Sequence, residues 1–205
     1  MASIDSTIVR VHQHGATLPR TTGGAEQNYK KFGVEPADHA IGRSRGGLTS
    51  KTHLVCDGKG RALAFVVTGG QVADTSMLAH TIARSASRAG PVGPRARPDR
   101  VIADKGYPSK ANRAWLREHG IAATIPERVD QIAHRRKRPP GRPIDFGDKQ
   151  RERYRRRNVV ERCFNKLKQW RGIAMRSDKT ARNYHSALCL AAALHWTQTG
   201  FSNTA

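Results

Sequence analysis

A chain of 205 residues with 37 Lys and Arg against 16 Asp and Glu carries a formal net charge of +21 and a pI near 11.1. That is far beyond what solubility requires, and the Arg-rich excess suits bidentate contact with a polyanion. No apolar run of about eighteen residues exists and the start MASIDSTIVRVHQ has no signal-peptide pattern, which argues against a membrane partner and points to a soluble, cytoplasmic protein. Cys56, Cys163 and Cys189 lie far apart with no paired spacing, so they read as small core residues and not as a disulfide framework or a zinc site.

In chain order, residues 3–11, SIDSTIVRV, read as a strand with Asp5 inside it, and a polar, Gly-containing loop follows through Gly24 toward Arg45. His12 and His14 form one H-x-H pair without other ligand-spaced residues, which fits a loop or strand edge better than a metal site. Residues 48–68 form a hairpin: LTSKTHLVCD is one strand, DGKG the turn, and the apolar, β-branched run RALAFVVTGG the return. The preceding GRSRGG is no phosphate-cradling loop, because its glycines are followed by Leu-Thr-Ser-Lys instead of Lys-Ser/Thr. Those glycines instead let Arg43, Arg45 and Lys51 approach a nucleic-acid backbone closely.

Asp74 or Thr75 caps a helix to about Arg88, with Met77, Leu78, Ile82 and Ala86 on its apolar face. AGPVGPRARPDR is a surface connection, and VIADKGY is a short buried strand ending at Asp104. Pro108 and Ser109 open a helix that reaches about His119 and stops at Gly120, before a short strand in IAATIPE. Residues 127–149, with RRKRPPGRP, read as a mobile basic loop that gains order against a partner. Helices follow from about Lys149 to Gly172 and from about Thr180 to Trp196, the latter with Ala187, Leu188, Ala191 and Leu194 facing inward.

The first of these two helices carries the most informative spacing. With Tyr154 at zero, Arg157, Glu161 and Lys168 fall at roughly 300°, 340° and 320°, an arc of about 60°. Val159, Val160, Cys163, Phe164, Leu167 and Trp170 occupy an adjacent arc of roughly 140° to 280° that supplies a buried stripe. One carboxylate therefore stands among an aromatic and two cations beside the core.

The order of elements implies an α/β fold with a mixed five-stranded sheet flanked by helices. If the first and fourth strands are neighbours, the carboxylates of Asp5 and Asp104, read as lying at strand ends, converge with Glu161. Three such groups repel one another unless hard cations sit among them, so magnesium or manganese is implied. Two ions about 3.5 to 4 Å apart suit in-line displacement at phosphorus, the chemistry of nucleases and strand transfer. Tyr154, Arg157 and Lys168 would then lie near the scissile phosphate.

IDSTIVRVHQH around Asp5, GRSRGGLTSKTHLVCD, VIADKGY around Asp104, and the Tyr154, Arg157, Glu161, Lys168 series occur in that order. The chain thereby resembles, over nearly its full length, bacterial insertion-sequence transposases of the DDE type, in particular the insertion-sequence-five-like group. The Y, two residues, R, three residues, E, six residues, K signature matches without a gap. The resemblance implies a ribonuclease-H-like catalytic domain over 1–198, with the basic loop at 127–149 and a tail at 199–205. It also implies catalytic and metal-binding roles for Asp5, Asp104 and Glu161, which would hold two divalent ions and cut and rejoin DNA. Tyr154, Arg157 and Lys168 inherit DNA contacts, with Lys105 and Tyr107 as further candidates. Double-stranded DNA at element ends and target is the implied partner, bound by a homo-oligomer in a synaptic complex.

Family members normally carry a DNA-recognition region before the first catalytic strand, whereas Asp5 here is close to the start. The expectation is a second reading frame that works with an upstream-frame product, the alternative being a truncated remnant. The competing expectation is a basic, non-catalytic binding module: a DNA-binding fragment that inhibits or partners the full transposase, or a ribosomal-protein-like RNA binder. The three acidic residues favour the enzyme, and few aromatics favour DNA over RNA.

Overall fold

The computed structural model describes residues 1–16, 39–86, 97–137 and 146–201. Seven strands are hydrogen-bonded among them: β1 (Ala2–Val11), β2 (Gly42–Ser44), β3 (Gly47–Asp57), β4 (Ala62–Gly69), β5 (Arg100–Ile102), β6 (Ala122–Thr124) and β7 (Met175–Arg176). Their order is β2-β3-β1-β5-β6, with β4 on β3 and β7 on β1. The mixed α/β class stands, but the sheet has two strands more than the expected five. β2 and β7 span three and two residues, too short for a period-2 pattern to reveal.

The described chain divides into two compact units, the first formed by Met1–Asp5, Val55–Ala64 and Asp74–Glu161. Here β1 pairs β5 in parallel, and β5 pairs β6 in parallel. Parallel neighbours need a crossover, which helix α2 (Lys110–Glu118) supplies between β5 and β6. Ser109 caps that helix by accepting the Asn112 N–H at 3.0 Å. Gly120, at φ +64, ends it in the left-handed conformation, and the Ile121 N–H returns to Leu116 O at 2.8 Å. Ile4, Val55, Val101, Leu116 and Ile125 pack with Leu78 and Ile82 of helix α1 (Asp74–Ala86) in one core. Each such side chain contributes about 1.5 to 3 kcal/mol when fully buried.

The second unit contains Ser6–Leu54, Phe65–Ala73 and Arg162–Ala205. β2 and β3 form an antiparallel hairpin in which Ser44 pairs Gly47 across Arg45 and Gly46. Gly47 holds φ +94, a conformation that side chains disfavour, and Arg10 donates to Gly46 O at 3.1 Å. β7 runs parallel to β1, with Val11 level with Arg176. Arg176 is wholly buried, yet it donates to His39 O at 2.6 Å, Lys179 O at 3.1 Å and Asp178 O at 3.0 Å, and its guanidinium lies 5.4 Å from the Tyr184 ring centre. These contacts offset the cost of burying a charge.

Several sequence expectations change on this scaffold. The helix expected from Lys149 to Gly172 is three pieces, α4 (Asp148–Arg155), α5 (Asn158–Leu167) and α6 (Arg171–Ala174). Arg157 and Val160 bond three residues back, to Tyr154 O and Arg157 O, so the backbone tightens between α4 and α5. Like charges at Arg153, Arg156 and Arg157, three and four residues apart, disfavour a regular helix there. Within the basic loop, Val129–Arg136 is helix α3, while 138–145 lie outside the described residues. So do 17–38 of the first polar loop and 87–96 of the Pro-rich connection. Helix α7 (Ala181–Phe201) runs past Trp196, and Leu194 is 41 % exposed instead of inward-facing. Tyr184 takes a core place on that helix that the sequence reading did not assign.

The Tyr184 hydroxyl donates to Ile173 O at 2.9 Å, and burial pushes its phenol up to about 12. An acid with a raised folded pKa adds stability that is fully present below its unfolded value, here 10.0, and is lost as pH climbs toward about 12. Tyr184→Phe is expected to remove that alkaline loss. At pH 7 it should cost about 1 to 3 kcal/mol, because the Ile173 carbonyl loses its donor. Urea unfolding at neutral pH and between about pH 10 and 12 measures both.

Candidate active site

The register of β1 on β5 decides where two carboxylates meet. Ala2 pairs Val101 and Ser3 pairs Ile102, an offset of 99 residues (101 − 2 and 102 − 3). Asp5 and Asp104 each follow the last of these pairs by two residues, and the fields of both reach Arg157. The expected adjacency of the first and fourth strands therefore holds. Asp5 itself lies in the interior of β1 and not at a strand end, because pairing with β7 continues the strand to Val11. Asp104 follows the end of β5.

A tight turn fixes Asp104. Its carboxylate accepts the Gly106 N–H at 2.6 Å and its carbonyl accepts the Tyr107 N–H at 3.3 Å. A Cβ on Gly106 would come within 2.9 Å of Asp104 Oδ1, so only glycine lets the carboxylate sit this close. The turn sends Tyr107 into the core, where it is fully buried. Tyr107 is thus a packing residue, contrary to its expected place among DNA contacts. Asn112 on α2 steadies the turn by donating to Tyr107 O at 3.0 Å and to Thr75 O at 2.8 Å. Lys105, between Asp104 and Gly106, is exposed.

Arg157 joins the acidic residues. Its guanidinium donates to Asp5 Oδ2 at 2.8 Å and to Glu161 Oε1 at 2.6 Å. The Arg157 and Asp5 side chains are 18 % and 19 % exposed, so solvent screens this bridge far less than a surface pair. Burial works hardest on Arg157 and lowers its pKa, but the combined fields of Tyr154, Asp5, Glu161 and Asp104 raise it overall. All three expected catalytic carboxylates therefore act on one cation. The guanidinium also lies 5.5 Å from the Tyr154 ring centre, and Phe146 meets that ring edge-on at 5.9 Å.

Three carboxylates are the right donors for a hard divalent cation. Among the described residues no three His, Cys, Asp or Glu side chains are grouped as a metal cluster, and Arg157 holds Asp5 and Glu161 instead. The donor types suit such an ion, while in this arrangement the positive charge among them is that of Arg157.

The other expected contacts divide. Arg43 and Arg45 are exposed, on and beside β2. Lys51 is 8 % exposed and donates to Val72 O at 2.7 Å, which makes it a structural lysine and corrects its expected place at a DNA surface. Every residue of β3 from Thr49 to Cys56 is buried, so neither face of the strand offers it an exposed place. Lys168 belongs to the second unit, where Nζ donates to Thr7 Oγ1 at 2.6 Å and burial lowers its pKa. The sequence reading missed Gly106, Asn112 and Thr7, whose contacts are visible only once the turns are formed.

The Transposase DDE domain family matches residues 2–196. The chain belongs to that family. Relatives of this transposase-family chain include a protein named for transposition of insertion sequence element IS402 from Burkholderia cepacia, 39 % identical over 99 residues, which are 48 % of this chain and 44 % of the relative. A second, named for insertion sequence element IS6501 from Brucella ovis (strain ATCC 25840 / 63/290 / NCTC 10512), is 30 % identical over 149 residues, 73 % of this chain and 98 % of the relative. The first match thus spans less than half of that relative's length. Family membership agrees with the resemblance to bacterial insertion-sequence transposases, a family of polynucleotidyl transferases. No helix among the described residues is long and apolar enough to cross a membrane.

Arg157→Ala leaves Asp5 and Glu161 without their shared cation. It is expected to lower the unfolding free energy by about 1 to 3 kcal/mol, with part of the loss recovered when Asp5→Asn is added. Urea unfolding of the two single variants and the double variant gives the coupling; strictly additive losses would mean that the bridge does not contribute.

Proposed function

We propose that this chain is the catalytic part of a ribonuclease-H-like DDE transposase that cuts DNA at the ends of an insertion sequence and joins the resulting 3'-hydroxyls to a target. The convergence of Asp5, Asp104 and Glu161 on Arg157, in a chain of the Transposase DDE domain family, carries the reading. Asp5, Asp104 and Glu161 would hold magnesium or manganese, two ions per site. When bound, such ions supply Lewis acidity and an activated oxygen nucleophile.

The residues of the chain supply the remainder. The parallel pairing of β1 with β5 and the Gly106 turn position Asp5 and Asp104, while α5 presents Glu161. Arg157 balances charge among them and offers a planar donor set to a backbone phosphate. Tyr154 stacks against that guanidinium and adds a ring for contact with DNA. Lys168, oriented by Thr7, and the exposed Arg43, Arg45 and Lys105 add phosphate contacts. The net charge of +21 draws double-stranded DNA toward the protein in the bacterial cytoplasm.

Asp5→Asn, Asp104→Asn and Glu161→Gln should each lower magnesium-dependent nicking of element-end DNA by about a thousandfold or more. Binding of the same duplex should stay within about threefold, since phosphate contacts supply it. A gel assay with the chain alone and with an upstream-frame extension tests this. Nicking that survives all three substitutions would overturn the assignment.

Arg43→Ala and Arg45→Ala should weaken binding to all sequences alike and shorten the slope of log affinity against log salt by about one each. A salt titration of duplex binding by fluorescence anisotropy reads that change.

A further inference from the structure

We propose that the cavity formed by the end of α5, the turn that follows it and one side of α7 is a binding site for one unpaired nucleotide of single-stranded DNA. Its base would stack on Trp170, and its phosphate would be held by Lys166. The inference rests on the chain being a DNA-acting protein, but not on its catalytic carboxylates. The cavity has a volume of about 480 Å3 and is lined by Lys166, Gln169, Trp170, His195 and Gln198, with Leu167, Ala191 and Leu194 as its apolar part.

The sequence pattern places Trp170 on the buried stripe, yet the ring is 53 % exposed. The reason is local: α5 ends at Leu167, and three residues of turn carry Trp170 off that stripe. The departure is rigid. The Trp170 N–H bonds Leu167 O at 3.2 Å, and its carbonyl accepts the N–H groups of Ile173 and Ala174, both at 2.9 Å. A large aromatic surface is thus held in water on a fixed backbone, although burial would favour it strongly.

The residues around the indole select among possible occupants. Lys166 Nζ donates to His195 Nε2 at 2.9 Å, which sets the ammonium against α7 at the cavity. Gln169 and Gln198 each bring an amide that can both donate and accept, as the edge of a base requires. An apolar peptide has no use for a cation and two amides, whereas a nucleotide uses the ring, the amides and the charge together. The +21 chain attracts such an anion. Bases paired in a duplex stack on one another and leave no face for an indole in a concave site, so the occupant is unpaired. Every base has such a face, and the site should tolerate any sequence.

A single-stranded oligonucleotide of thymidines bearing one 2-aminopurine tests the site in excess chelator, where no metal-dependent cleavage occurs. Stacking on Trp170 is expected to quench the 2-aminopurine. Trp170→Ala should abolish the quench and weaken single-strand binding about 10- to 100-fold, while duplex binding stays within about twofold. Trp170→Phe should retain most of the quench, and Lys166→Met should shorten the single-strand salt slope by about one. Absence of quenching in the parent chain would overturn the proposal, as would equal losses for duplex and single strand or a Trp170→Phe variant that behaves like Trp170→Ala. An RNA strand bound more tightly than DNA, or a dimer lost on Trp170→Ala with quenching unchanged, would also overturn it. Loss of nicking in the carboxylate variants with quenching intact would leave this site standing, so the two readings fail separately.

Discussion

A single guanidinium holds together the acidic centre of this basic chain. Two carboxylates about 4 Å apart repel by about 4 kcal/mol at an effective dielectric near 20, and a third adds to that. Arg157 reverses the balance by bonding Asp5 and Glu161 directly, while its raised pKa reflects Asp104 as well. Asp5 can then stand inside a strand of the sheet without being the uncompensated buried charge that would otherwise disfavour folding. The parallel β1–β5 register, the Gly106 turn and the position of α5 all lead to this one contact.

The same charge economy separates attraction from chemistry. Exposed basic side chains such as Arg45 and Lys105 can meet phosphates from the surface. Lys51 and Arg176 are cations of another kind, buried on carbonyl groups and committed to the fold. A sum of charges thus overstates the surface available to DNA. Burial and partner decide which of the 37 basic residues can act as phosphate contacts.

Much of the fold was legible where a pattern was long or a stop signal was chemical. The strand over residues 3–11, the DGKG hairpin, and the Ser109 to Gly120 helix all match observed elements. The approach of Asp5 to Asp104 followed from strand order. What the sequence concealed were short pieces and interrupted periods: β2 and β7, and the tightening at Arg156 and Arg157 that separates α4 from α5. An angular arc assumes one unbroken helix. It therefore brought Tyr154, Arg157 and Glu161 correctly to one neighbourhood across a small distortion, but it misplaced Trp170 after α5 had ended.

That misplacement has a physical lesson for the centre itself. Arg157 reads in sequence as one more cation on an Arg-rich helix, and its spacing from Glu161 is the ordinary i, i+4 distance of a surface pair worth a few tenths of a kcal/mol. The difference lies 152 residues away, in Asp5, which accepts the other arm of the same guanidinium. A local pair becomes a bridge between chain segments only when the sheet brings its first strand alongside. Because Arg presents a planar fork, it can engage both carboxylates at once, and a lysine with one point charge could not reproduce that geometry. The identity of residue 157 is therefore dictated by the topology of the sheet as much as by the helix on which it was first noticed.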